Sequence, residues 1–111
     1  MEKKIKIKDE EITIRFNYAV ECTYEEIANI PFSLDDLRFK RYLICLYAAA
    51  IIVNNKDTTI TLEWIMTEAS SEEIRLIDDA IAECMTDFLH LPKVIPADDK
   101  PADEEGEQPK N

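Results

Sequence analysis

The segment that most constrains the fold is LICLYAAAIIV, residues 43–53, which contains no charged residue and no glycine. A helix that spans a membrane needs about 20 apolar residues. This run has eleven residues and is followed at once by two asparagines, a lysine and an aspartate. It is therefore predicted to form the centre of a protein core, and any exposed remainder would serve as a surface for a partner.

The chain is strongly acidic, with a formal net charge of −11 over 111 residues. Binding of nucleic acid through its phosphates requires clustered lysine and arginine, so we expect no nucleic-acid partner and no membrane partner. The length allows one domain with a single modest core. The amino terminus lacks an apolar stretch of signal-peptide length, which predicts a cytoplasmic protein.

Apolar and polar residues alternate near the amino terminus, which predicts a β-hairpin over residues 3–18 with one apolar face. Neither Asn-Gly nor Asp-Gly marks its turn, so the turn type stays open. The edges of a two-stranded hairpin are available for another chain to pair with. Ile12, Ile14 and Phe16 are the candidate residues for such contact between protomers.

Helix-start signals and apolar spacing predict helices over about 23–30, 34–53, 61–69 and 71–90. Their N-caps are predicted at Thr23, Ser33, Thr59 or Thr61, and Ser70. The last helix carries an apolar stripe formed by Ile74, Ile77, Ile81, Cys84 and Phe88, which Leu76 and others widen. The fold class is therefore α+β and mostly α-helical, with an N-terminal β-hairpin followed by about four helices in one compact domain, residues 1–91.

Residues 92–111 have a different composition, with four prolines, six acidic residues and little that is apolar. Such a segment buries too little surface to order itself. We expect a disordered acidic tail.

Catalytic motifs are absent from the sequence, which has no glycine-rich phosphate loop and no nucleophile in a recognisable setting. The paired carboxylates fall on predicted outer helix faces, where solvated charge explains them. Cys22, Cys45 and Cys84 are odd in number and far apart, which favours reduced, buried thiols. His90 alone cannot complete a metal site with them. We therefore expect no enzyme, no cofactor and no metal.

Four residues are candidates for contact with a partner protein. Trp64 either anchors its short helix to the core or forms an adaptable binding surface with Met66, since Trp and Met both suit such surfaces. Phe39 and Tyr42, on the amphipathic half of the long helix, complete the set.

The order of parts resembles a known family. The hairpin IKIKDEEITIRFNY precedes a short helix YEEIANI, a long apolar helix LDDLRFKRYLICLYAAAIIV, a TLEWI helix, a final EEIRLIDDAI helix and a polar acidic end. Over residues 1 to about 91 this resembles the small tail assembly chaperones that long-tailed phages and prophages encode just upstream of the tape-measure gene.

The resemblance implies a non-enzymatic helical protein of the bacterial host cytoplasm. It would coat the long apolar tape-measure protein before the tail tube polymerises, and it would self-associate to do so. Helix-in-groove recognition and strand addition are the physical modes for these contacts. Two other functions stay open: an acidic inhibitor that mimics nucleic acid and occupies a basic enzyme, and a small scaffold subunit of a larger complex.

Overall fold

The computed structural model describes residues 1–91, and the predicted tail at 92–111 lies outside the described residues. The elements are β1 (Glu2–Ile7), β2 (Glu10–Arg15), α1 (Tyr18–Ala28), a 3₁₀ helix (Leu34–Arg38), α2 (Lys40–Asn54), α3 (Leu62–Thr67) and α4 (Ser71–Leu89). This order confirms the predicted fold class of an N-terminal hairpin followed by four α-helices.

The hairpin is antiparallel and places Ile5 opposite Ile12. Its two turn residues, Lys8 and Asp9, have φ values of 55° and 64°. Positive φ at both positions defines a type I′ turn, which matches the right-handed twist of the strands. Residues with a Cβ adopt this conformation at a cost of about 1–2 kcal/mol each. The turn is therefore held in place by contacts beyond itself.

The prediction that the hairpin extends to residue 18 and that the first helix begins near residue 23 is wrong. The side chain of Asn17 accepts a hydrogen bond from the Val20 backbone N–H at 3.1 Å, so α1 begins at Tyr18. Val20 and Tyr24 then face the core. Cys22, predicted to be buried, lies on the exposed face of this helix.

The predicted helix over 34–53 is divided in two. Phe39 is extended, with φ −93° and ψ 126°, and separates the 3₁₀ helix from α2. Its N–H donates to the Asp36 carbonyl at 3.0 Å, while its carbonyl accepts from Leu43 N–H at 3.0 Å. No local signal marks this break, because phenylalanine is not among the residues that favour an N-cap position.

The apolar segment forms the centre of the core, as predicted. Residues 46–51 of α2 are all buried, whereas Ile52 is 40% exposed. α2 contacts α1, β2, α3, α4 and the 3₁₀ helix, and α4 packs against both strands of the hairpin. Most of the predicted stripe on α4 packs into this core, but Leu76 lies at its margin and is 39% exposed.

The two last helices begin where the sequence predicts. The Thr61 hydroxyl accepts from Trp64 N–H at 3.1 Å. Ser70 and Glu73 form a reciprocal capping box at the start of α4. These caps are confirmed because they depend on residues only three positions apart.

Candidate partner-binding surfaces

Two aromatic rings and three cations lie together at the start of α2. Phe39 is 49% exposed, and its ring meets that of the half-buried Tyr42 edge-on with centroids 6.3 Å apart. The Arg38 guanidinium lies 5.1 Å from the Phe39 ring centroid, and that of Arg41 lies 5.2 Å from the Tyr42 centroid. With Lys40 between them, these five residues form what we call the basic aromatic patch.

The electrostatic environment of this patch is positive. No side chain caps the first turn of α2, and that turn contains no acidic residue. The uncapped N–H groups carry the positive end of the helix dipole. Arg38, Lys40 and Arg41 are exposed, and no carboxylate within residues 1–91 forms an ion pair with any of them. The patch therefore offers both ring surface and unpaired positive charge.

The second predicted pair lies on α3. Trp64 is partly buried against the core, and the Lys8 ammonium lies 5.2 Å from the centroid of its ring. Met66 is 62% exposed. No ring contact within the described chain joins Trp64 to Phe39 or Tyr42. The four predicted partner-binding residues thus fall into two pairs, and within the second pair Met66 offers the exposed surface.

The hairpin residues predicted to contact other protomers lie in the core instead. Ile12, Ile14 and Phe16 are at most 5% exposed. Their side chains line the face that α2 and α4 cover, so they present no surface to a second chain.

The outer edge of β2 is closed by the end of α2. The Asn55 side chain accepts from Thr13 N–H at 2.9 Å and donates to the Thr13 carbonyl at 2.8 Å. The Asn54 amide donates to the Arg15 carbonyl at 3.2 Å. These bonds replace those of a neighbouring strand. The expectation that both hairpin edges are available therefore does not hold for β2.

The edge of β1 is open. Lys4 lies opposite Thr13, whose backbone groups point away from β1. Because antiparallel pairs alternate, the backbone N–H and C=O of Lys4 and Lys6 also point outward, and no group in residues 1–91 bonds them. A shallow depression of about 360 Å³ lies on the hairpin, lined by Lys4, Ile5, Lys6, Asp9 and Glu11. Its lining is mostly charged, unlike that of most small-molecule sites.

A polar network joins the hairpin turn to the loop before α3. The Glu10 carboxylate accepts from Thr58 Oγ1 at 2.9 Å and from Thr59 N–H at 3.2 Å, and also from Thr59 Oγ1. These hydrogen bonds hold the pKa of Glu10 below its ordinary value, and the bond from the Thr59 hydroxyl has the largest effect. Lys8 Nζ donates to Thr59 Oγ1 at 3.2 Å.

Two buried tyrosines differ in their hydrogen bonding. The Tyr47 hydroxyl donates to Asp78 Oδ1 at 2.7 Å, and burial together with this bond raises its pKa. The Tyr24 hydroxyl is buried and has no hydrogen-bond partner within residues 1–91. Burial, followed by the charge of Asp36, raises its pKa as well. Both hydroxyls therefore stay protonated at neutral pH.

The three cysteines are free thiols, and only Cys84 is fully buried. Across residues 1–91, no three histidine, cysteine or acidic side chains come close enough together to hold a metal ion. Among the helices of the described chain, none combines the length and the apolar character that crossing a membrane requires.

Comparison of the chain with protein-family models, curated proteins and solved structures finds no match.

Proposed function

We propose that this protein is a non-enzymatic assembly chaperone that binds an apolar helical protein. By resemblance, the partner is the tape-measure protein of a phage or prophage tail, in the cytoplasm of the bacterial host. The observation that carries the proposal is the exposure of large apolar side chains on or next to helices of a highly acidic chain. Leu34, Phe39 and Met66 are 41%, 49% and 62% exposed.

These side chains suit a partner that is itself apolar. Full burial of a side chain such as Phe or Met is worth about 1.5–3 kcal/mol, and aromatic residues often dominate interfaces. The net charge of −11 supports solubility of a complex with an otherwise insoluble helical protein.

Self-association, which the resemblance also implies, has one suitable edge. β1 has outward-facing backbone groups that a neighbouring strand can pair with, whereas Asn54 and Asn55 occupy the edge of β2. Strand addition would therefore proceed through β1.

The acidic-mimic alternative has less support. Such an inhibitor requires a row of free carboxylates. On α4, however, Glu83 pairs with Lys3 at 3.0 Å and Asp87 pairs with the amino terminus at 3.4 Å. The basic aromatic patch also opposes binding to a basic enzyme.

Co-expression with the large helical protein encoded just downstream of its gene tests the proposal. We expect a soluble complex to be recovered from an otherwise insoluble partner, and we expect Phe39→Ser to reduce recovery severalfold. Ile52→Ser is the matched control, because Ile52 lies at the other end of α2 with a similar exposure of 40%. If the partner stays insoluble with nothing bound, the proposal is wrong. If recovery of the complex falls equally in both variants, the partner does not bind specifically at the basic aromatic patch.

A further inference from the structure

We propose that the basic aromatic patch is a docking site for the protein's own acidic segment, residues 92–111. The acidic run at 103–107 would lie against the three cations, two of which lie over the rings of Phe39 and Tyr42. This goes beyond the proposed function, because it concerns the isolated protein.

The patch concentrates positive charge in an acidic chain. Lysine and arginine together number 13, against 24 acidic residues. Three of these cations nevertheless lie within four positions of the sequence, at Arg38, Lys40 and Arg41. The carboxylates nearest to them in sequence, Asp35 and Asp36, form no ion pair with them. The three cations therefore have no carboxylate partner within residues 1–91, and no side chain caps the start of α2.

The other lysine-rich surface, on β1, is less suitable as a docking site. Lys3 pairs with Glu83 at 3.0 Å, and Lys4 lies 3.6 Å from Glu2. Much of its charge is already matched by neighbouring carboxylates, whereas the charge of the patch is not. An anionic segment would therefore be attracted more strongly to the patch.

The acidic segment has suitable charge and reach. Residues 103–107 contain four carboxylates and no cation. Eleven residues lie between Leu91 and Asp103, and the twelve Cα–Cα steps from one to the other span about 40 Å when the chain is extended. The longest helix, α4, has 19 residues and is about 28 Å long, so the segment can reach distant parts of the fold.

Tethering favours this occupant over external anions. A segment on a short linker has an effective concentration of about a millimolar at its site. A nucleic acid would instead approach a chain whose net charge is −11.

Paramagnetic relaxation in the full chain tests the proposal. A nitroxide is attached through Ala102→Cys in a Cys22→Ser background, since Cys22 is the exposed thiol. Burial raises the pKa of both Cys45 and Cys84, which slows their labelling. We expect the amide signals of residues 38–43 to lose most of their intensity, and 1 M salt to restore them, since screening then acts within about 3 Å.

Matched variants identify the contact. Joint replacement of the four acids, Asp103→Asn, Glu104→Gln, Glu105→Gln and Glu107→Gln, should restore the signals. Arg38→Ala with Arg41→Ala should do the same, whereas Arg75→Ala, an exposed arginine on α4, should not. Broadening at Lys4 and Lys6 in place of the patch would overturn the proposal, as would no localised broadening.

A mixed sample separates docking within one chain from docking between chains. Labelled chains without isotope are mixed with isotope-enriched chains that carry no nitroxide. Broadening in this sample would mean that a second copy supplies the segment, which contradicts the proposal. Because no partner protein is present, failure here would leave the proposed function untouched.

Discussion

The two ends of α2 contrast in how their polar groups are bonded. At the carboxyl end, Asn54 and Asn55 bond the backbone of β2, and Glu10 accepts hydrogen bonds from the following loop. At the amino end, α2 has no side-chain cap and the Phe39 ring is exposed. The nearby Tyr24 hydroxyl is buried and has no hydrogen-bond partner in residues 1–91.

The contrast indicates where the molecule departs from its most stable arrangement. Side-chain hydrogen bonds bind the backbone at the carboxyl end of α2, whereas at the amino end the side-chain cap is missing and the Tyr24 hydroxyl has no partner within residues 1–91. Natural proteins often depart from these rules at functional sites. We therefore expect substitutions at the carboxyl end to lower the free energy of unfolding, and suitable ones at the amino end to raise it.

The largest effect is expected for Asn55→Ala. This substitution removes both bonds to Thr13 and a third to the Ile51 carbonyl at 2.8 Å. We expect the free energy of unfolding to fall by about 2–3 kcal/mol, measured by urea denaturation. Asn54→Ala removes a longer hydrogen bond to β2, so it should lower the free energy of unfolding by less than Asn55→Ala. A change of under 0.5 kcal/mol for Asn55→Ala, about the size of an ordinary surface substitution, would remove the basis of the contrast.

The two buried tyrosines should respond in opposite directions. Tyr24→Phe removes a hydroxyl that has no partner and should stabilise the fold by about 1–2 kcal/mol. Tyr47→Phe removes the bond to Asp78 and should destabilise it by about 1 kcal/mol. Denaturation midpoints of both variants, measured side by side, check this. Destabilisation by Tyr24→Phe would indicate that its hydroxyl is bonded in solution.

Phe39 provides a test of the missing cap. Its extended backbone fits an N-cap residue, so Phe39→Asp should be more stable than Phe39→Ala by about 1 kcal/mol. Both variants lose the ring, and the difference therefore isolates capping. Thermal unfolding measures it, and equal stabilities would mean that the first turn of α2 needs no cap.

The smallest effect concerns how the stability contributed by Glu10, near the carboxyl end of α2, depends on pH. Because hydrogen bonds lower the pKa of folded Glu10, its ionised form stabilises the fold above the ordinary glutamate pKa. This stabilisation is lost as the pH falls below about 4.3 and through the lower folded value. We expect Glu10→Gln to flatten this part of the stability profile. If the stability profile of Glu10→Gln is identical to that of the parent chain, the ionised Glu10 does not stabilise the fold.

Sequence reasoning succeeded where structure depends on near neighbours. The caps at Thr61 and Ser70 follow from residues three positions apart, and the core segment follows from eleven uncharged residues. It failed at α1, because Asn17 continues the alternating pattern of the hairpin while its side chain caps a helix.

Long-range contacts escaped prediction. The sequence marks Asn54 and Asn55 only as the end of an apolar run, and no local pattern distinguishes a loop asparagine from one that bonds a strand 42 residues away. The break at Phe39 likewise has no local signal. The sequence identifies two exposed residues of the candidate surfaces, Phe39 and Met66. It does not show that cations and aromatic rings lie together in one patch.

The bonds between Asn55 and Thr13 also bear on the order of folding. Closing a loop of 42 residues carries an entropic cost, and an isolated hairpin is only marginally stable in water. We expect the strands to pair late, so that Ile5→Val gives a folding φ-value near 0, whereas Ala50→Gly in α2 gives a larger one. The two-residue turn sets which strand residues face each other, whereas the end of α2 fixes where β2, and with it the whole hairpin, lies against the helices.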